Sequence, residues 1–182
     1  MEKPNYISFL LSEISRNDSE SAFEQLYLLY YDKLISYSLT YLHAECDAEE
    51  IVSDVMLYIW KDRKHLETID NFNAYIYRIV RNKSISRYRQ KDFSITSIDD
   101  INTDIFQTII TPETLLISEE NVNKINAEIN KLPTKCKEAF KLVKEQRLKY
   151  KEVADILQIS VKTLESHLTL AMHRLRQNIN RK

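Results

Sequence analysis

Proline stands only at positions 4, 112 and 133 of the 182 residues, and glycine stands nowhere. Proline ends helices by removing a donor and clashing with the preceding turn, so long helices are unobstructed and most of the chain should be α-helical. The lack of glycine closes other routes. Gly-rich phosphate cradles and dinucleotide fingerprints need glycine where the backbone turns tightly against a phosphate. Kinase-like and Rossmann chemistry are excluded with them, and the expected fold class is all-α.

Apolar spacing divides the chain into helices. Tyr6, Phe9, Leu10 and Ile14 predict a first helix ending at Arg16-Asn17-Asp18. A second, from about Ser21 to Leu42, carries Phe23, Leu26, Tyr27, Tyr30, Leu34, Tyr37 and Tyr41 at helical intervals. Asp47 is expected to cap a third, with Glu50 at N3 in a capping-box arrangement and Ile51, Val55, Tyr58 and Ile59 as its buried stripe. A fourth should run from about Phe72 to Arg89. Phe93 to Ile98 alternates apolar and polar, but a lone strand has nothing to pair with, and it reads as extended linker. Pro112 suits the first turn of another helix, with Glu113 near its positive end. Pro133 precedes a helix built on Cys136, Ala139, Phe140 and Val143.

Charge is segregated along the chain, although the net charge is only −1. From Lys131 to Lys182 there are 13 Lys or Arg against 5 acids, a balance of +8 and the expected footprint of phosphate binding. Arg78 to Lys91 has six basic residues and no acid, whereas Asp92 to Asn123 has seven acids and no Lys or Arg. Two small helical domains follow, residues 1–91 and 112–182, joined by an acidic linker over 92–111. Cys46 and Cys136 are far apart and suggest reduced thiols rather than a disulfide framework. No apolar run is long enough for a signal sequence or a membrane span, so a cytoplasmic protein without membrane insertion is expected.

Lys149 to Leu168 reads as a helix-turn-helix. Val153, Ala154 and Leu157 give a first helix one apolar stripe; Val161, Leu164, Leu168, Ala171, Met172 and Leu175 give the second its own. Ser160 is placed to cap the second helix. Ala154 fits the crossing point, where a larger side chain would push the helices apart. Such turns often contain glycine. Gln158 is the nearest residue, so either the turn differs or Gln158 carries roughly 1 kcal/mol of left-handed strain. The wheel of the second helix leaves Lys162, Thr163, Ser166, Thr169, Leu170 and His173 opposite the buried stripe, with Glu165 and His167 on its rims. Lys162 and Thr163 suit phosphate, Ser166 and Thr169 base edges, Glu165 a cytosine amino group, and Leu170 a thymine methyl. The plain alternative is a helical hairpin with no nucleic acid.

Two earlier helices carry their own patterns. On the fourth, Phe72, Tyr75, Ile76, Ile79 and Val80 form an apolar and aromatic side, and Arg78, Arg81, Asn82 and Arg89 a polar one, with Arg87 in the same basic run. Guanidiniums for phosphates beside a ring for an exposed base suit single-stranded nucleic acid. An amphipathic surface helix is the alternative. Glu45, Asp47, Glu49, Glu50 and Asp54 lie among Ile51, Val52 and Val55, a docking surface for a basic protein. His43, Glu45 and Cys46 are metal-ligating types in a short run, but nothing elsewhere completes a site, and no metal or other cofactor is expected.

Ala22-Phe-Glu-Gln-Leu-Tyr, Asp47-Ala-Glu-Glu-Ile-Val with Asp54-Val, Phe72 through Asn82, Leu132 through Phe140, and Tyr150-Lys-Glu-Val-Ala through Leu175-Arg176 occur in that order. Together they resemble the extracytoplasmic-function sigma factors of the sigma-70 family, from Ala22 to Arg176. The resemblance implies that Asp47 to Trp60 docks on the clamp coiled coil of core RNA polymerase, through Asp47, Glu49, Glu50, Ile51, Asp54 and Val55. It implies that Asn71 to Arg89 recognises and melts the −10 element of promoter DNA, through Tyr75, Arg78, Arg81, Asn82, Arg87 and Arg89. The linker would thread toward the RNA exit channel. The last domain would sit on the polymerase flap while Val161 to Leu170 reads the −35 element, through Lys162, Thr163, Glu165, Ser166, His167, Thr169 and Leu170. An anti-sigma partner is usual in the family. Tyr75 stands where the family usually has Trp, and Gln158 where it often has glycine.

Two other readings stay open on the residues alone. A conventional helix-turn-helix regulator would dimerise or sense a ligand through its first domain and bind a palindrome unaided. A helical interaction module would bind no DNA. An enzyme is the weakest candidate, because no nucleophile, base and carboxylate converge in sequence.

Overall fold

The computed structural model describes residues 4–91 and 119–179; the expected linker, and the helix expected at Pro112, lie outside the described residues. Eight α-helices and no strand are found among those described. They fall into two compact units, Met1–Arg87 and Tyr88–Lys182.

In the first unit α1 (Pro4–Asn17), α2 (Glu20–Ser38), α3 (Glu45–Lys61) and α4 (Phe72–Lys91), whose last turn runs past the unit's end at Arg87, surround one core, with a 3₁₀ turn at Arg63–Thr68 packed under α1. The predicted stop after Asn17 holds, because Asp18 takes a left-handed φ of 50°. Ser19 then caps α2, its Oγ accepting from the Ala22 amide at 3.2 Å. Leu26, Tyr30, Leu34 and Tyr37 form the buried stripe of α2, whereas Phe23 and Tyr27 are half-buried. Tyr37 meets Tyr41 and Tyr77 edge-on at 5.7 and 5.3 Å, and its hydroxyl pairs with that of Tyr41 at 3.0 Å, so buried phenols keep a polar partner.

The capping expected at Asp47 does not occur. Helix α3 starts two residues earlier, at Glu45, with Ala44 as a cap that supplies no side-chain hydrogen bond. Asp47 lies within the first turn and is buried. Ile51, Val55 and Ile59 face the core as predicted, but Tyr58 does not: it is 46% exposed. Helix α4 is capped by Asn71, whose Oδ1 accepts from the Ala74 amide at 3.0 Å.

The second unit contains α5 (Glu119–Asn130), α6 (Thr134–Phe140), a π turn at Lys141–Glu145, α7 (Tyr150–Leu157) and α8 (Val161–Ile179). Helix α8 is the element on which α5, α6 and α7 all pack. Ile129, Leu132, Cys136, Ala171 and Leu175 cluster at one end, with Phe140 against them. Val153, Ala154, Ile156, Leu164 and Leu168 are also buried. Val161, expected in this stripe, is 37% exposed.

Candidate nucleic-acid interface

The helix-turn-helix is built by its turn. After α7, Gln158 adopts φ 56° and ψ 45°, in the left-handed region. Its amide donates to the Asp155 carbonyl at 3.3 Å, and the Ile159 amide to that of Ala154 at 3.0 Å. Those two bonds are a Schellman ending, which satisfies carbonyls the helix would leave open. Gln158 thus makes the turn a glycine would make more cheaply. Ser160 caps α8 as predicted, its Oγ accepting from the Thr163 amide at 3.0 Å. At the other end of α7 the Glu152 carboxylate accepts from the Lys149 amide at 2.8 Å.

This turn sets the exposed face of α8. Lys162, Thr163, Glu165, Ser166, Thr169 and Leu170 are exposed and His167 is half-buried, so the whole expected set is on or beside the surface. The Ser166 hydroxyl donates to the Lys162 carbonyl at 3.1 Å and that of Thr169 to the Glu165 carbonyl at 2.8 Å. With their protons held on the helix, both oxygens offer lone pairs outward.

Lys137 and Glu138 are both buried, so the charges withdrawn from the surface of this unit cancel and its basic surplus stands. Lys141 is half-buried, and burial drives its ammonium below the ordinary lysine range.

In the first unit, Tyr75 is half-buried, its ring 6.4 Å from that of Phe72. Burial, then a hydrogen bond with Tyr58, pushes its phenol above the ordinary tyrosine range. Arg78 and Arg81 are half-buried; Asn82 and Arg89 are exposed.

Arg87 is placed elsewhere. Nine residues after Arg78 it is two and a half turns on, the opposite side of the helix. There it grips Glu50 with both guanidinium nitrogens, at 2.8 and 3.0 Å, and reaches Asp47 at 3.2 Å. One turn earlier, Lys83 Nζ lies 3.3 Å from Asp54. Two cations of α4 are laid on the acids of α3.

That ladder redraws the expected docking surface. Asp47, Ile51 and Val55 are buried and present nothing to a partner; Glu49, Glu50 and Asp54 remain exposed. Leu57 and Tyr58, 51% and 46% exposed, complete the outer face of α3 and were not expected there. Their signal was present: Glu50, Asp54, Leu57 and Tyr58 follow one another at helical spacing. No cluster among the described residues could hold a metal ion.

Two family models match in the order of the two units. Residues 26–93 match sigma-70 region 2 and residues 117–175 match sigma-70 region 4. The chain belongs to the sigma-70 family. Its relatives make this sigma factor one of the extracytoplasmic-function type. SigW of Bacillus subtilis, an ECF RNA polymerase sigma factor, is 24% identical over 177 residues, covering 93% of this chain and 94% of SigW. The RNA polymerase sigma factor SigZ of the same organism is 29% identical over 142 residues, covering 76% and 78%. Two solved structures share the fold. CnrH in complex with the cytosolic domain of CnrY has a TM-score of 0.67 at 20% identity, covering 96% of this chain and 97% of that one. RpoE of Bartonella quintana, in complex with the anti-sigma factor NepR, has a TM-score of 0.66 at 20% identity, covering 88% and 98%. The sigma-70 chain is therefore an RNA polymerase sigma factor that directs promoter-specific initiation, and the conventional regulator and the interaction module are set aside.

Proposed function

We propose how this sigma factor divides its work among residues. Helix α3 docks on the clamp coiled coil of core polymerase through Glu49, Glu50, Asp54, Leu57 and Tyr58. Tyr75, Arg78, Arg81, Asn82 and Arg89 of α4 take the melted −10 strand, while Arg87 couples the two helices. Lys162, Thr163, Glu165, Ser166, His167, Thr169 and Leu170 of α8 read the −35 element, with residues 112–182 seated on the flap. The observation that carries this division is the half-buried Tyr75 ring, packed near Phe72 on the helix that bears Arg78 and Arg81, within the unit whose α3 face is acidic. Unpaired bases stack on rings and their phosphates pair with guanidiniums. The cost of unstacking, a few kcal/mol, is offset by those contacts.

An anti-sigma factor is a further partner. The RpoE neighbour is a complex with one. No covalent step belongs to this chain in this division of work, and the protein acts in the cytoplasm; no helix among the described residues is long and apolar enough to cross a membrane.

The test mixes the protein with core polymerase and a fragment from upstream of its own gene, then maps unpaired thymines with permanganate. Opening should require both proteins. Arg78 and Arg81 changed together to Ala should reduce opening at least tenfold and leave core binding intact. If core binding is lost instead, α4 is a docking element and the division is wrong.

A further inference from the structure

The last turn of α3 and the first turn of α4 carry one phenol each, and the two are hydrogen-bonded to each other: Tyr58 of α3 and Tyr75 of α4. We propose that Tyr58 is a positioning residue for strand capture, its hydroxyl accepting from the Tyr75 phenol and setting how the Tyr75 ring meets an unpaired base of the −10 strand. The inference rests on the reading of Tyr75 as the base-stacking ring and adds the group that orients it.

The first ground is how the ring is seated. The inner side of the first turn of α4 is tied to the core by other groups. Asn71 accepts from the Ala74 amide at 3.0 Å, the Tyr30 hydroxyl donates to the Asn73 side-chain carbonyl, and the buried Phe72 ring meets that of Tyr30 edge-on at 5.5 Å. The Tyr75 ring lies 6.4 Å from that of Phe72, tilted by 39°, and keeps part of its surface open. Tyr58, 46% exposed, reaches it from the outer face of α3. Rotation about χ1 swings the phenol oxygen further than any other ring atom, so a partner at that oxygen selects the rotamer.

The second ground is the direction of the bond. A hydrogen bond raises a phenol's pKa when it favours the protonated form, and the bond with Tyr58 acts on Tyr75 in that sense, after burial as the larger cause. The Tyr75 O–H therefore donates and the Tyr58 oxygen accepts.

The third is register. Tyr75 precedes Arg78 by three residues and Asn82 by seven, so ring, guanidinium and amide follow one stripe of α4. A strand with its phosphates on Arg78 carries its bases along that stripe, and the χ1 rotamer of Tyr75 decides whether the ring lies within it.

The test measures binding of the reconstituted holoenzyme, at saturating core polymerase, to a single-stranded non-template −10 oligonucleotide and to versions with an abasic site walked along it. Tyr58→Phe keeps the ring and removes the acceptor. Affinity should fall about three- to tenfold, the usual net worth of one hydrogen bond. The fall should vanish on the oligonucleotide that lacks the stacked base. Tyr75→Phe should lose a similar factor, and the double variant should bind no more weakly than either single one. Additive losses, or a loss equal on every abasic oligonucleotide, overturn the proposal, because the hydroxyl would then serve only the packing of α3 on α4. A defect confined to core binding also overturns it, placing the hydroxyl on the docking face alone. Tyr75→Ala separates the two levels of inference, with an expected loss of about five- to hundredfold from stacking. If it weakens binding while Tyr58→Phe does not, Tyr75 stacks the base without help from Tyr58. If it changes nothing, the reading of Tyr75 itself falls.

Discussion

Gln158 shows how one side chain can limit a motif. A non-glycine residue in the left-handed region costs about 1–2 kcal/mol, and a β-branched one fits there worst. Gln158→Val should therefore lower the stability of the C-terminal unit by at least about 1 kcal/mol in urea unfolding. An unchanged midpoint would mean that the turn readily adopts another geometry. Asp18 is the residue to watch in acid. Hydrogen bonds from Lys64 and then Arg63 hold its carboxyl below the ordinary aspartate range. A depressed folded pKa contributes stability above the unfolded value and loses it as pH falls through the folded one. As the pH falls below about 4, the ordinary aspartate value, the first unit should lose urea resistance, and Asp18→Asn should make that loss smaller. An identical pH profile for the variant would show that Asp18 contributes nothing. The same sign holds for Glu67, lowered by hydrogen bonds from Ser12 and Arg16.

At the scale of elements, the helices and their order were legible because they follow from local spacing: α4 starts and stops within about two residues of expectation, α1 ends where expected, and the break between α7 and α8 falls where expected. The Ser160 cap and the Gln158 turn were legible for the same reason. What was hidden depended on partners distant in sequence. Nothing local shows that Arg87 reaches 40 residues back to Asp47, so Asp47 resembled a helix cap and Arg87 a phosphate ligand. Tyr58 resembled core because aromatic residues at helical spacing usually are, yet α3 turns it outward. The crossing of α7 and α8 offers a direct test. Ala154 is 7% exposed, and its carbonyl closes the turn. Ala154→Leu should cost about 1–3 kcal/mol by overpacking and spread the two helices. Footprinting should then lose −35 protection while −10 opening persists on promoters with a strong downstream element. Full −35 protection would mean that the crossing tolerates bulk.

Over the whole molecule, each unit carries one cysteine, and the two are reporters of different kinds. Cys46 is exposed; Cys136 is 2% exposed, and burial raises its thiol pKa despite the nearby charge of Arg174. An aromatic disulfide reagent at neutral pH should modify one thiol at once and the other only as fast as the C-terminal unit opens. Two rapid equivalents would contradict the packing around α6. The left-handed residues Asp18, Arg147 and Gln158 have a counterpart in the denatured chain. A chain with no glycine samples a narrower backbone ensemble before it folds, so it surrenders less entropy on folding. The strain fixed at three corners is set against that stiffness. Introducing glycine there relaxes the native turn by about 1 kcal/mol but loosens the denatured chain by about 0.4–1 kcal/mol. The gain in stability should be far smaller than the relief of strain, which makes a glycine-free sequence a workable solution for a protein with such sharp turns.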